Sequence, residues 1–342
     1  MSTIPFRRQQ RAKPPEMPSG DIELQEPPSL PELQPKDPLM MLMMVPMMLI
    51  SGVMMLVFLG QRNPALAVGL FLGMLGLAVL MVLVQLSRAA AERRTTVRGD
   101  RRDFMRYLAQ MRAKVRGAAS QQRASLTWRH PDPASLSNVA MTARLWERRG
   151  SHGDFGEVRI GTGSHSLSQR ITPLSTKPIA DLEPLSARAL RRFIAVHGSV
   201  PQLPVSLFLR RLADIRLMGD DDAARAMVRA MVAQAVTAHA PDELRIAVCT
   251  TPERAADWDW VKWLPHAQHP SSQDGAGSTR LFDVDVADFA ELLDGELNGR
   301  SRFEPGASPT ADEPYHLVVF DGVAPPIGSR IASAGYRCTT TL

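Results

Sequence analysis

The stretch with the clearest chemical potential is residues 214–228, DIRLMGDDDAARAMV. An apolar run, a glycine and a helix-forming run is the setting of a phosphate-binding loop. Its pattern, G-x4-G-K-[ST], cradles phosphates on backbone N–H groups, neutralises them with a lysine and holds Mg2+ with a hydroxyl. In that register Gly219 takes the first glycine. Ala224 stands at the second, Arg225 replaces the lysine and Ala226 replaces the hydroxyl. Asp220, Asp221 and Asp222 fill the loop, where three carboxylates would repel a triphosphate. Further on, residues 317–321, LVVFD, have the form of a strand ending in a metal-orienting carboxylate, Asp321. Together Gly219, Arg225 and Asp321 look like a nucleotide site with its catalytic parts removed. Three readings stay open: an ATPase relic that binds no nucleotide, a module that binds nucleotide without efficient hydrolysis, and an ordinary α/β domain with a chance likeness. A fully active ATPase with an unusual loop is a further alternative.

Other constellations are weaker. His266 and His269 are one helical turn apart, but a structural zinc site needs four N/S ligands and no cysteine is near. No metal site is expected. Trp258, Trp260 and Trp263 cluster, and packing against a sheet suits them better than base stacking, because few basic residues interleave with them. Gly161-Thr162-Gly163 is a lone GxG. No Ser/His/Asp or Cys/His arrangement stands out, so no catalytic residue is assigned and no cofactor is expected in this segment.

These residues need elements to position them. Glu157–Ile160, Asp214–Met218, Leu244–Thr250, Leu281–Val284, His316–Asp321 and Tyr336–Thr341 read as strands. Asp222–His239 and Val286–Leu297 read as helices, the second capped by Asp285. Apolar β-rich runs alternating with helices predict a largely parallel, doubly wound sheet over residues 128–342. Ser301–Glu313 reads as a polar loop.

The N-terminal part is different. Residues 1–38 are proline-rich and without apolar period, which predicts a cytoplasmic tail that orders, if at all, on a partner. Residues 39–59 and 65–86 are apolar runs that predict a transmembrane helical hairpin over 39–86, since each spans about 30 Å as a helix. Arg7, Arg8, Arg11, Lys13 and Lys36 precede the first run, many arginines follow the second, and Arg62 alone sits between them. Both termini are therefore expected in the cytoplasm. Residues 87–127 read as a basic stalk helix. Phe104, Leu108, Met111 and Val115 form an a/d seam on it, suited to packing on a partner helix.

Charge follows the same division. Of the net +5, residues 88–129 contribute +9 (12 Lys/Arg less three acids), leaving −4 for the rest. That localisation argues against a nucleic-acid-binding domain, whose charge would spread over a folded face. Two cysteines in 342 residues exclude a disulfide-rich secreted protein, and reduced thiols are expected.

Several runs together carry a resemblance. They are WRHPDP at 128–133, LWERR at 145–149, VRIGTG at 158–163, DLEPL at 181–185, HAPD at 239–242 and WDWVKWLPH at 258–266. In this order, after a two-span hairpin and a basic helix, they resemble the EccC family of FtsK/SpoIIIE-like motor ATPases of type VII (ESX) secretion. The resemblance covers nearly the whole chain. It implies an inner-membrane protein with EccB, EccD and EccE type partners, whose stalk leads to a degenerate P-loop (FtsK/RecA-like) module. ATP and Mg2+ would act in later ATPase domains, on the same or a partner chain, that export WxG100-type substrates. No intact catalytic lysine is present, so the family's catalytic and substrate-binding residues match no position here. A membrane anchor of an FtsK-like DNA translocase is the alternative, with the basic segment touching DNA.

Overall fold

The computed structural model describes residues 9–31, 46–47, 50–55, 57–58, 64–275, 277–333 and 335–342. It divides into two compact units. One comprises residues 1–18, 120–166 and 200–342, the other residues 19–119 and 167–199.

The first unit is built on four parallel strands in the order β10-β9-β5-β8. These are Thr339–Thr341, Tyr315–Asp321, Leu244–Thr250 and Phe282–Asp283. Alternation along the central strands separates two faces. Ile246, Val248, Leu317 and Val319 pack with Val228, Met231, Val232 and Ala235 of helix α3 (Asp221–Ala238). Ala247, Cys249 and Val318 pack with Phe289, Leu293 and Leu297 of helix α4 (Val286–Leu297). Helices on both faces of a parallel sheet give the mixed α/β layers the sequence predicted. Both cysteines are buried and free. Beside the sheet lie two two-stranded pairs: β2 (Glu157–Ser166) with β4 (Ser199–Phe208), and an antiparallel hairpin of β6 (Gln268–Asp274) and β7 (Gly277–Arg280).

The expected strand Asp214–Met218 does not form. Asp214 makes one parallel bridge to Thr341, and Ile215 N–H donates to the Thr341 carbonyl at 2.9 Å. Beyond that the chain leaves the sheet, because β10 offers only three residues to pair with.

The second unit contains most of helix α1 (Pro64–Arg129), helix α2 (Pro184–His197), and the parallel pair of β1 (Asp21–Leu24) with β3 (Arg170–Pro173). Glu183 caps α2 by accepting from Leu185 N and Ser186 N, with Pro184 at the first helical position. The same carboxylate takes a 2.7 Å ion pair from Arg101 of α1. Those donors and Arg101 outweigh burial, which alone would raise its pKa, and hold it at about 2.

Two expectations change here. The tail is not left waiting for a partner: Ile22 and Leu24 are fully buried, and Gln25 N–H donates to the Tyr107 hydroxyl at 2.9 Å. Alternating apolar residues inside a proline-rich run let β1 fill a slot in its own chain. The stalk helix is continuous with the apolar stretch before it, running unbroken from Pro64 to Arg129. Residues 167–199, expected in the α/β domain, belong with it.

Among the described residues, one stretch, Pro64–Gln85 of α1, is apolar and long enough at 22 residues to cross a membrane, and none of it is buried. The first expected span, 39–59, lies partly outside the described residues. Its described residues are helical.

Candidate functional site

The candidate site lies at the carboxyl edge of the parallel sheet, the usual ligand-binding edge of open α/β folds. Gly219 precedes α3 with a φ of +136°, a backbone conformation that side chains disfavour. Asp220 caps α3, its carboxylate accepting from Ala223 N–H at 2.8 Å. One of the helix N-terminal N–H groups that would face a phosphate is thus taken from within.

Arg225, one turn into α3, does not point into an open loop. Its Nε donates to Asp321 Oδ2 at 2.9 Å, and its Nη1 donates to Asp222 Oδ1 at 2.9 Å. Asp257 Oδ2 lies 3.4 Å from the same nitrogen. Asp321, at the end of β9, also accepts from Arg254 Nη1 at 2.8 Å and from Trp258 Nε1 at 2.9 Å. Arg254 Nη2 reaches on to Asp221 Oδ2 at 3.0 Å. Only 13% of the Asp321 side chain is exposed. Burial alone would raise its pKa, but the Trp258 and Arg225 hydrogen bonds, with the guanidinium charge, bring it below the ordinary carboxylate value. The carboxylate stays ionised with both oxygens engaged.

Gly322 makes this possible. Its φ is +76°, and a Cβ there would lie 2.6 Å from Arg254 Nη1. The structure brings Arg225 and Asp321 together at this edge, with Gly219 just ahead of α3. It adds Arg254, Asp257, Trp258 and Gly322, which sequence reasoning left unassigned or read as packing. The available signal was position: Arg254 follows β5, and β5 pairs directly with β9.

The other candidates disperse. His266 Nε2 faces the His239 carbonyl at 2.8 Å, while His269 Nδ1 accepts from Ser271 and Ser272 N–H groups. Trp258 is buried, whereas Trp263 is 78% exposed. Among the described residues no group of three His, Cys, Asp or Glu side chains is arranged to hold a metal. Phe104, Leu108 and Val115 are buried and Met111 is half-buried, all within their own chain. The face expected to take a partner helix is thus already covered.

The sequence runs that carried the resemblance do structural work. Arg148 of the LWERR run is buried and donates to the carbonyls of Arg129, Asp154 and Glu157. Asp154 is gripped in turn by Arg11 of the N-terminal segment through both oxygens.

The chain is 45% identical over 98% of its length to an ESX secretion system protein EccC of Thermomonospora curvata. It is 31% identical over its whole length to the ESX-3 secretion system protein EccC3 of Mycobacterium tuberculosis. It is 34% identical over 80% of its length to the ESX-4 secretion system protein EccC4 of the same organism. The chain belongs to the EccC family. It spans about a quarter of the length of the curated relatives it matches, at 25%, 26% and 22% of each. No protein-family model matches it.

Proposed function

We propose that this segment is the membrane anchor, stalk and degenerate ATPase-like module of a type VII secretion motor. Hydrolysis takes place in other ATPase domains, and this module is a scaffold that relays their motion toward the membrane. The observation that carries the reading is the occupied Asp321 carboxylate. In a working site such a group orients Mg2+ and water. Here Arg225, Arg254 and Trp258 take both of its oxygens. A nucleotide would have to break those bonds and enter a loop of three aspartates, at a cost of several kcal/mol in a water-poor site.

The anchor reading has separate support. Leu66, Val68, Leu72, Leu77, Leu80 and Leu83 of α1 are exposed, an apolar surface that water does not tolerate at this size. On the preceding segment, a Cβ at the buried Gly52 would lie 3.1 Å from the Phe71 ring of α1. That closeness suits two antiparallel spans, 39–59 and 65–86, with both termini in the cytoplasm. EccB, EccD and EccE type membrane subunits would be its partners.

Calorimetry on the whole chain in lipid nanodiscs tests the first part. No heat of binding up to millimolar Mg-ATP supports the scaffold. Micromolar binding weakened by Arg225→Ala would replace it with a nucleotide sensor. For the second part, Arg62→Cys should react with a membrane-impermeant maleimide added outside intact cells. Labelling only after lysis would overturn the two-span topology.

A further inference from the structure

The apolar stretch of α1 ends at Gln85, and the helix continues without a break. Arg88, Arg93, Arg94 and Arg98 come next, all exposed. At 1.5 Å and 100° per residue they lie about 5, 12, 14 and 20 Å beyond Gln85. Around the axis they fall at about 0°, 140°, 240° and 280°. Glu92 is the one acid among them. Among the described residues, the ion pairs of this helix begin further on, at Arg101 with Glu183 and at Arg102 and Arg106 with Asp103.

A protein partner or a DNA groove engages one face of a helix. Charges on every side suit an environment that surrounds it, and the headgroup layer around a spanning helix is one. That layer is about 5–8 Å thick on each side of the hydrocarbon core. Arg88 lies within it, and the long side chains of Arg93 and Arg94 reach back to it. Arg98 starts about 12–15 Å beyond the layer, and its long side chain brings the charge within about a Debye length of it. All four are arginine rather than lysine, and the guanidinium fork pairs with phosphate through two parallel hydrogen bonds.

We propose that Arg88, Arg93, Arg94 and Arg98 form a collar that selects anionic phospholipid at the cytoplasmic exit of the helix. The proposal rests on the membrane-spanning reading and adds a lipid class to it. The collar fixes the depth of the helix and gathers anionic lipid around the stalk.

The test uses the whole chain, reconstituted into vesicles of equal parts phosphatidylglycerol and phosphatidylcholine and re-extracted with its bound lipid. Phosphatidylglycerol should be enriched about fivefold or more, the effect of a single basic side chain near an anionic leaflet. The enrichment should disappear in the R88Q/R93Q/R94Q/R98Q variant, which should still resist alkaline carbonate extraction. Replacing the same four residues with lysine should keep only part of it, because an ammonium cannot make the paired hydrogen bonds. Carbonate-resistant wild-type protein without lipid preference overturns the collar and leaves the span intact. So does a glutamine variant that keeps the preference. Carbonate release of the wild type overturns both. Displacement of the lipid by duplex DNA at equal phosphate would give the arginines to nucleic acid instead.

Discussion

Arg225 Nε and Asp321 Oδ2 meet at 2.9 Å, joining the first turn of α3 to the end of β9 across 96 residues. In the register of a phosphate-binding loop these are the lysine position and the metal-orienting carboxylate. Where a motor would hold triphosphate and Mg2+ between such groups, here the two groups hold each other. The pair is a tie between elements of the sheet edge, reinforced by Arg254 and Trp258.

Asp321→Ala should therefore behave as a stability variant. It takes one acceptor from each of two guanidinium groups and leaves the Trp258 indole N–H without its partner, and removing one member of a partly buried ionic cluster costs about 3 kcal/mol. Denaturant melts of the chain in detergent should show the loss. Binding of Mg-ATP should be absent before and after the change.

Gly322→Ala should reproduce part of that loss from a position with no charge. A side chain at φ +76° costs about 1–2 kcal/mol, and the new methyl would displace Arg254 from Asp321. The readout is a double-mutant cycle. Once Arg254→Ala is in place, Gly322→Ala should cost measurably less, because the clash is gone. Strict additivity would mean that Gly322 matters only for its own backbone.

The sequence was most legible where local chemistry and global fold agreed. Asp285 was read as the cap of Val286–Leu297, and both helix and cap are as read, with Asp285 accepting from Ala287 and Asp288 N–H groups. Strand Leu244–Thr250 stood out as an unbroken β-rich run. Strand Ser199–Phe208 did not, because Pro201 and Pro204 interrupt it. Helix Pro184–His197 carries legible signals, Glu183 as cap and Pro184 at its start. The site was half legible. Gly219, Arg225 and Asp321 follow from register, but Arg254 and Trp258 reach Asp321 only because β5 and β9 are neighbours in the sheet. That is a tertiary fact no local pattern encodes. The seam at Phe104, Leu108, Met111 and Val115 was visible as apolar period, while its cover came from the same chain.

That cover sets the expected outcome for the seam. Leu108 is 5% exposed, so Leu108→Ala should cost about 3 kcal/mol in the isolated chain. Amide exchange should rise along residues 101–118 of α1 and along α2, whose capping Glu183 is paired with Arg101. If Leu108→Ala leaves exchange in the isolated chain unchanged and weakens only assembly with other subunits, the seam is an intermolecular surface after all.

Acid should weaken the protein earlier than its carboxylates alone would dictate. His239 is fully buried, and Gly156 N–H donates to its Nε2 at 3.0 Å while its Nδ1 lies 2.8 Å from the Ala235 carbonyl. Nε2 must accept and Nδ1 must donate, so the ring is neutral by geometry. Burial, helped by the nearby Arg148 charge, pushes its pKa down to about 3. Below pH about 6.5 the unfolded chain takes up a proton that the folded chain refuses, so stability falls as pH drops, by about 1.4 kcal/mol per unit, until about pH 3. His316, at about 3, and His130 and His266, at about 4, add in the same direction. Asp154 acts lower. Burial would raise its pKa, but Arg11 and Arg148 bring it to about 2, so its contribution is complete above its ordinary pKa and is lost only as pH falls from about 4 toward 2. Denaturant melts between pH 7 and 4.5 should thus slope steeply through the histidine range. His239→Gln, which keeps an acceptor and a donor, should reduce that slope by close to one proton. An unchanged slope would mean that His239 carries its proton in the folded protein, against the hydrogen bond from Gly156.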